Sequence, residues 1–245
     1  MKTLILIPSR LSAVRLPGKP LLKINGLSII SHVFKKAVES NIGEVFVATE
    51  DQDIIDDIKK NGGQAILTGN HHKTGTDRIH EALQKLGRSD IELVMNLQGD
   101  EPLMNIEDIK NLHHQMIITK SKLGTLASNI KDKNLYYEQN VVKVETKESL
   151  ENSRFPKALN FMRKSITQTK NIYHHLGIYC YQVETLKSFV SLDQSQNETK
   201  YKLEQLRALD NNININVCLA NNSPIGLDTK EDFIAIKKIM EYKSK

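Results

Sequence analysis

Leu4-Ile5-Leu6-Ile7-Pro8-Ser9-Arg10-Leu11-Ser12-Ala13-Val14-Arg15-Leu16-Pro17-Gly18-Lys19-Pro20 decides the fold. Leu4 to Ile7 is an apolar run with the length and β-branching of a buried strand, and it opens at once into a loop carrying Arg10, Arg15 and Lys19 among prolines and Gly18. Open α/β sheets bind ligands at the carboxyl ends of their strands, where this loop lies. Gly18 lets backbone approach a ligand, the cations suit a polyphosphate, and the prolines reduce the entropy lost when the loop orders. Two readings stand, a basic surface loop or an anion site. The Walker spacing and the dinucleotide Gly-x-Gly-x-x-Gly fingerprint are both absent, so neither of those phosphate cradles is meant.

Outward from this loop, strand and helix alternate. Residues 27–39 place Ile29, Ile30, Val33, Phe34 and Ala37 at helical spacing, and residues 44–49 read as a short strand. Residues 51–61 repeat the helical pattern with Gly62-Gly63 as a stop, and 64–67 form the next strand. Short joins between such elements predict a largely parallel sheet covered on both faces, the α/β class. Thr74-Gly75-Thr76-Asp77-Arg78 opens a helix running to about Leu86, either as a plain capping turn or as a ligand-facing helix start. Residues 91–97 read as a central strand ending in Gln98-Gly99-Asp100-Glu101-Pro102. A carboxylate at the end of a buried strand needs a cation to offset its desolvation, and magnesium is the expected one. The alternative is a turn aspartate before a helix over 106–116; Gly99 beside it points to close approach of something to the backbone.

A chain of 245 residues, 39% of them hydrophobic, can bury a large core, and one domain is expected. The net charge of +5 is spread over helices and interleaved with Asp and Glu, which argues against nucleic acid and for a solvated surface that attracts a small anion. Cys180 and Cys218 lack Cys-x-x-Cys spacing, so a reducing cytoplasm is expected rather than a disulfide or zinc framework. No apolar run approaches the roughly 18 residues of a membrane span, and the first residues read as a strand rather than a signal peptide.

From about Leu123 the pattern changes. Residues 123–130, 141–145, 158–162 and 177–181 read as strands, which predicts an antiparallel excursion at about 123–182. Adjacent His174 and His175 point to opposite faces of a strand and so are not read as zinc ligands. Residues 199–209 read as one helix, 213–219 as an edge strand, and a last helix runs to Tyr242. Asp228 is either the cap of that helix or a second carboxylate completing a magnesium site with Asp100.

Ile7-Pro8-Ser9-Arg10, Arg15-Leu16-Pro17-Gly18-Lys19-Pro20-Leu21, Thr74-Gly75-Thr76-Asp77-Arg78, Asn96-Leu97-Gln98-Gly99-Asp100-Glu101-Pro102, Asn140-Val141-Val142-Lys143-Val144, His175-Leu176-Gly177-Ile178-Tyr179, Leu203-Glu204-Gln205-Leu206-Arg207 and Leu227-Asp228-Thr229 occur in that order. The set resembles the 3-deoxy-manno-octulosonate (KDO) cytidylyltransferases, the CMP-KDO synthetases. The resemblance implies a nucleotide-diphosphosugar-transferase-like fold, with a mixed, mostly parallel sheet, flanking helices and a smaller antiparallel layer through which a homodimer forms. It also implies a cytoplasmic, magnesium-dependent reaction of CTP with KDO that yields CMP-KDO and diphosphate for lipopolysaccharide biosynthesis. Carried over by position, Arg10, Lys19, Asp100 and Asp228 are catalytic, with Asp100 and Asp228 holding the metal. Arg10, Arg15, Gly18, Lys19, Thr74, Gly75, Thr76, Arg78 and Gln98 surround the nucleotide, and Gln98, Arg163, His175, Tyr179, Glu204 and Gln205 the sugar acid.

Three departures stand out. Ala13-Val14 replace a Ser-Thr pair, Met162-Arg163-Lys164-Ser165-Ile166-Thr167 is a degenerate form of a Ser-Arg-x-x-Ile-Pro segment, and His174-His175 replace Arg-His. The last two fall on the sugar side, which keeps another acidic sugar open, such as 8-amino-KDO or a sialic-acid relative. A non-catalytic nucleotide-binding regulator is the reading from another class.

Overall fold

A computed structural model describes residues 1–12, 15–164 and 170–243; Ala13-Val14 and Ser165-Ile166-Thr167 lie outside the described residues. The chain forms two compact units, one of residues 2–106 with 224–245 and the other of 107–223 with Met1.

In the first unit β1 (Thr3–Ser9) leads through a turn of 3-10 helix at Lys19–Leu21 to β2 (Lys23–Ile24) and β3 (Leu27–Ser28). Then come α1 (Ile29–Glu39), β4 (Glu44–Thr49), α2 (Gln52–Lys60), β5 (Ala65–Leu67), α3 (Gly75–Leu86) and β6 (Leu93–Asn96). β1 pairs in parallel with β4 on one side and β6 on the other, so Ile5 lies beside Val45 and Met95, and β5 pairs in parallel with β4. Leu4, Ile5, Leu6 and Ile7 are wholly buried, as a strand covered on both faces requires. Because these strands run the same way, Ser9, Thr49 and Asn96 all end on one rim.

The β2–β3 hairpin turns at Asn25-Gly26, both with positive φ (50° and 79°), a dipeptide suited to a tight two-residue turn. It shifts the start of α1 from Leu27 to Ile29, where Ser28 caps the helix by accepting from the Ser31 N–H at 3.1 Å. α2 ends as expected, with the Gly62 N–H bonded to Lys59 O and the Gly63 N–H to Ile58 O.

The second unit contains α4 (Ile106–Thr119), β7 (Leu123–Ser128), β8 (Lys143–Thr146), β9 (Ala158–Met162) and β10 (Ile172–Gln182). α5 (Val183–Val190), α6 (Gln196–Tyr201), α7 (Gln205–Asp210) and β11 (Asn216–Leu219) complete it. β10 pairs antiparallel with β7 and β8, and β8 with β9, while β11 runs parallel to β7. The antiparallel strands lie close to their expected places. The single helix expected over 199–209 is two helices, because Lys202 adopts the left-handed conformation (φ 53°) that ends α6.

The chain returns to the first unit with α8 (Lys230–Lys243). There Leu227 and Ile236 are buried against Leu16, Ile24 and Ile29. This packing anchors the phosphate-loop candidate from below. No described helix is long and apolar enough to cross a membrane.

Candidate functional site

Lys19 organises the rim of the first unit. Its Nζ donates to Leu227 O at 2.7 Å, makes a close ion pair with Asp100 Oδ2, and lies 3.4 Å from Asp228 Oδ1. Arg15 pairs with the other Asp228 oxygen, Oδ2, at 2.9 Å. The two carboxylates, 128 positions apart in the chain, are brought together by backbone as well, since the Leu227 N–H donates to Asp100 O at 3.0 Å. Gly18, in the left-handed region at φ 70°, precedes the 3-10 turn that aims Lys19, and its N–H bonds back to Leu11 O.

The capping alternative for Asp228 does not hold. Thr229 caps α8, accepting from the Asp232 N–H at 3.1 Å, while the Asp232 carboxylate accepts from the Asp228 and Thr229 N–H groups. The Asp228 side chain is thereby left to the cations. Gly99 has a purpose internal to the fold: a Cβ there would lie 2.9 Å from Pro8 O and 3.0 Å from Ile30 Cδ1. Only glycine lets the turn bearing Asp100 press against the end of β1.

A cavity of about 340 Å³ opens at this rim, lined by Arg10, Arg15, Lys19, Thr74, Gly75, Arg78, Gln98, Gly99, Asp100 and Asp228, together with Ser9, His72 and Lys73. Within it the Thr74 side chain caps α3, accepting from the Asp77 N–H at 3.1 Å in a full capping box. The structural reading of that turn is therefore correct for Thr74, which still lines the cavity. Thr76 is buried and contributes nothing to the lining. Arg78 is buried too, donating to Thr68 Oγ1 at 2.7 Å and paired with Glu50 at 2.5 Å, so its guanidinium braces the wall.

Glu101 went unassigned from sequence although it stands in the quoted motif. Its Oε2 is shut off from solvent without a hydrogen-bond partner among the described residues. Burial, with Asp100 and Asp228 nearby and Lys19 opposing, pushes its carboxyl up to about 8.

Apart from Gln98, which lines the cavity of the first unit, the residues expected around the sugar acid lie in the second unit. His175 is buried on β10, its Nε2 3.0 Å from Thr125 Oγ1 and its ring edge-on to Phe161 and 5.5 Å from Tyr179. Burial lowers it to about 3, so the ring is neutral, and burial raises the Tyr179 phenol. His174 turns the other way, to Ser223 at 2.5 Å, as alternation along a strand requires. Arg163 donates to the carbonyls of Gln139, Tyr201 and Lys202, which makes it a latch closing the end of α6. Glu204 stands at the N-cap position of α7 without a side-chain capping bond, Gln205 is buried in its first turn, and Arg207 of the same motif forms a buried bidentate pair with Glu198.

A family profile described as Cytidylyltransferase matches residues 4–215. A 3-deoxy-manno-octulosonate cytidylyltransferase of Thermodesulfovibrio yellowstonii is 40% identical, over 98% of this chain and 98% of its own. One from Rhodopseudomonas palustris is 39% identical with the same coverage. A solved structure of CMP:2-keto-3-deoxy-manno-octonic acid synthetase complexed with CTP matches with a TM-score of 0.89 at 32% identity, over 99% of this chain and 100% of that one. A cytidylyltransferase from Leptospira borgpetersenii, 17% identical with a TM-score of 0.65 over 99% of this chain and 87% of that one, shares the fold.

Proposed function

The chain belongs to the 3-deoxy-manno-octulosonate cytidylyltransferases, and from that membership we propose how its own residues carry out the transfer of CMP from CTP to KDO with release of diphosphate. The anomeric hydroxyl oxygen of KDO attacks the α-phosphorus, forming the new P–O bond as the bond to the β-phosphate bridging oxygen breaks; the hydroxyl proton leaves to solvent. Such a transfer needs positioning and charge neutralisation more than covalent help.

In this assignment Arg10, Arg15 and Lys19 bind the phosphates, and Lys19 with Arg10 balances charge on the departing diphosphate. Gln98 and the turn at Thr74-Gly75 contact the nucleoside, with Arg78 holding that wall. Asp100 and Asp228 would hold magnesium: their oxygens already converge on one ammonium, a hard-oxygen set that fits a divalent ion. Bound there, such an ion would supply neutralisation at the α-phosphate and acidification of the attacking hydroxyl. Arg163, His175, Tyr179, Glu204 and Gln205 are assigned to the sugar acid, and a homodimer in the cytoplasm supplying lipopolysaccharide biosynthesis completes the reading.

The observation that carries it is the meeting of Asp100 and Asp228 on Lys19 beside the Arg10–Arg15 loop. A diphosphate-release screen of KDO, 8-amino-KDO and sialic acid against all four NTPs tests the substrate assignment, with CTP and KDO expected to win; preference for another sugar or base overturns it. Asp100→Asn is expected to abolish turnover while CTP binding weakens but stays measurable, and a near-normal rate removes Asp100 from the reaction. CTP binding without magnesium-dependent turnover in the unaltered protein would favour the regulator instead. Sedimentation velocity tests the dimer, with a monomer at micromolar concentration counting against it.

A further inference from the structure

The short segment entering α3 holds a second group of ligating side chains. One nitrogen from each of His71 and His72 and one carboxylate oxygen of Glu81 lie within 4.8 Å of one another. Consecutive histidines on a strand would diverge, but here the chain is irregular and the two rings sit on the same side, with centroids 4.4 Å apart.

Three features hold this arrangement. Glu81 Oε2 accepts from the Gly69 N–H at 2.8 Å and makes a close contact with His72 Nε2, while Lys85 pairs with Oε1 at 2.8 Å. Oε2 therefore faces the histidines, and Oε1 is drawn away. A Cβ at position 69 would lie 2.5 Å from His71 Cε1, 2.6 Å from its Nδ1 and 3.5 Å from Glu81 Oε2, so the bare glycine lets the His71 ring lie against the backbone. The backbone is thus pressed against the point where the donors converge. His71 is exposed and makes no hydrogen bond among the described residues; its ring rests against His72 and the Gly69 backbone.

We propose that His71, His72 and Glu81 form a binding site for a borderline transition-metal dication, zinc foremost, separate from the carboxylate pair of Asp100 and Asp228. Two imidazoles and one carboxylate are a zinc donor set with a fourth position left to water, whereas magnesium prefers oxygen alone. The site braces the wall that His72 and Lys73 give to the cavity, and it depends on no assumption about nucleotidyl transfer.

The test is calorimetric titration of EDTA-treated full-length protein with zinc chloride in the absence of magnesium and nucleotide. One zinc per chain at micromolar or tighter affinity is expected, together with the visible d–d bands of four-coordinate cobalt when Co²⁺ replaces it. His71→Ala should weaken zinc binding at least tenfold with an unchanged circular dichroism spectrum, because the exposed ring makes no hydrogen bond to the fold. Asp100→Asn should leave zinc binding unchanged. No binding by the unaltered protein, an undiminished affinity in His71→Ala, or loss of zinc binding in Asp100→Asn overturns the proposal. Should Glu81→Gln lose stability through its Gly69 contact, the His71 variant decides the question alone.

Discussion

Lys19→Met separates two roles that the geometry gives one side chain. The ammonium lies 3.4 Å from Asp228 Oδ1 and closer still to Asp100 Oδ2. Two unit charges at that separation attract by about 5 kcal/mol at an effective dielectric near 20, and by about 1 kcal/mol in bulk water. The Asp228 side chain is 42% exposed and that of Asp100 31%, so the real value sits toward the lower figure. A divalent ion entering between these carboxylates must displace this competitor, at a cost of at least about 1.4 kcal/mol, a factor of ten in affinity. Methionine keeps much of the stem and none of the charge. In a Mn²⁺ titration of nucleotide-free protein, read from the paramagnetic resonance of the free ion, Lys19→Met should bind the ion at least tenfold more tightly. Turnover should move the other way, with kcat/KM for CTP falling at least tenfold because the leaving diphosphate loses a cation. Unchanged or weaker Mn²⁺ binding in the variant would refute the idea that lysine and metal contend for the same two carboxylates.

Gly99→Ala should cost about 1–3 kcal/mol in urea unfolding and lower kcat by displacing Asp100, because its Cβ would meet Pro8 O at 2.9 Å; a silent variant would show the turn to be slack. Glu198→Gln strands the buried Arg207 guanidinium, and a loss of about 3 kcal/mol is expected by chemical denaturation, with under 1 kcal/mol contradicting the pair's importance. Folded His175 refuses protons down to about 3, whereas the unfolded ring takes one below 6.5, and His174, lowered to about 4, behaves likewise. The contribution of these two rings is therefore complete above pH 6.5 and lost as pH falls through that window, by up to about 1.4 kcal/mol per pH unit for each ring. His175→Gln should remove about half of that slope between pH 6 and 4, and an unaltered slope would mean that the ring is not the group responsible.

The first hundred residues were legible because their strands are buried on both faces and their helices are amphipathic, so that periodicity reports burial directly. Asn25-Gly26 was the overlooked signal. Its hairpin is only two residues long on each side, too short to show alternation, and the following Leu27-Ser28 was absorbed into the helix that it caps. The break between α6 and α7 had no local signature at all. Lys202 is an ordinary residue in a left-handed conformation, and what holds the carbonyls there is Arg163, nearly forty positions earlier. A side chain bonded to distant backbone leaves no periodic trace.

The same limit explains the site. Lys19 and Asp100 were readable as charges placed after buried strands, since burial alone says that such a charge needs a partner. Asp228 stood in a helix-start context that served a cap equally well, so the sequence left two readings open, a cap or a second carboxylate beside Asp100, and the resemblance favoured the second. The structure removes the capping reading, since Thr229 and Asp232 complete the cap without it. Lys19 then serves as an internal counterion. Held by Leu227 O and two carboxylates, it keeps like charges together at the rim, and under the proposed assignment a metal would displace it and leave its ammonium to the diphosphate. On that proposal one lysine would stabilise the ligand-free rim and be freed by the incoming ion, which is why the two readouts of Lys19→Met are expected to carry opposite signs.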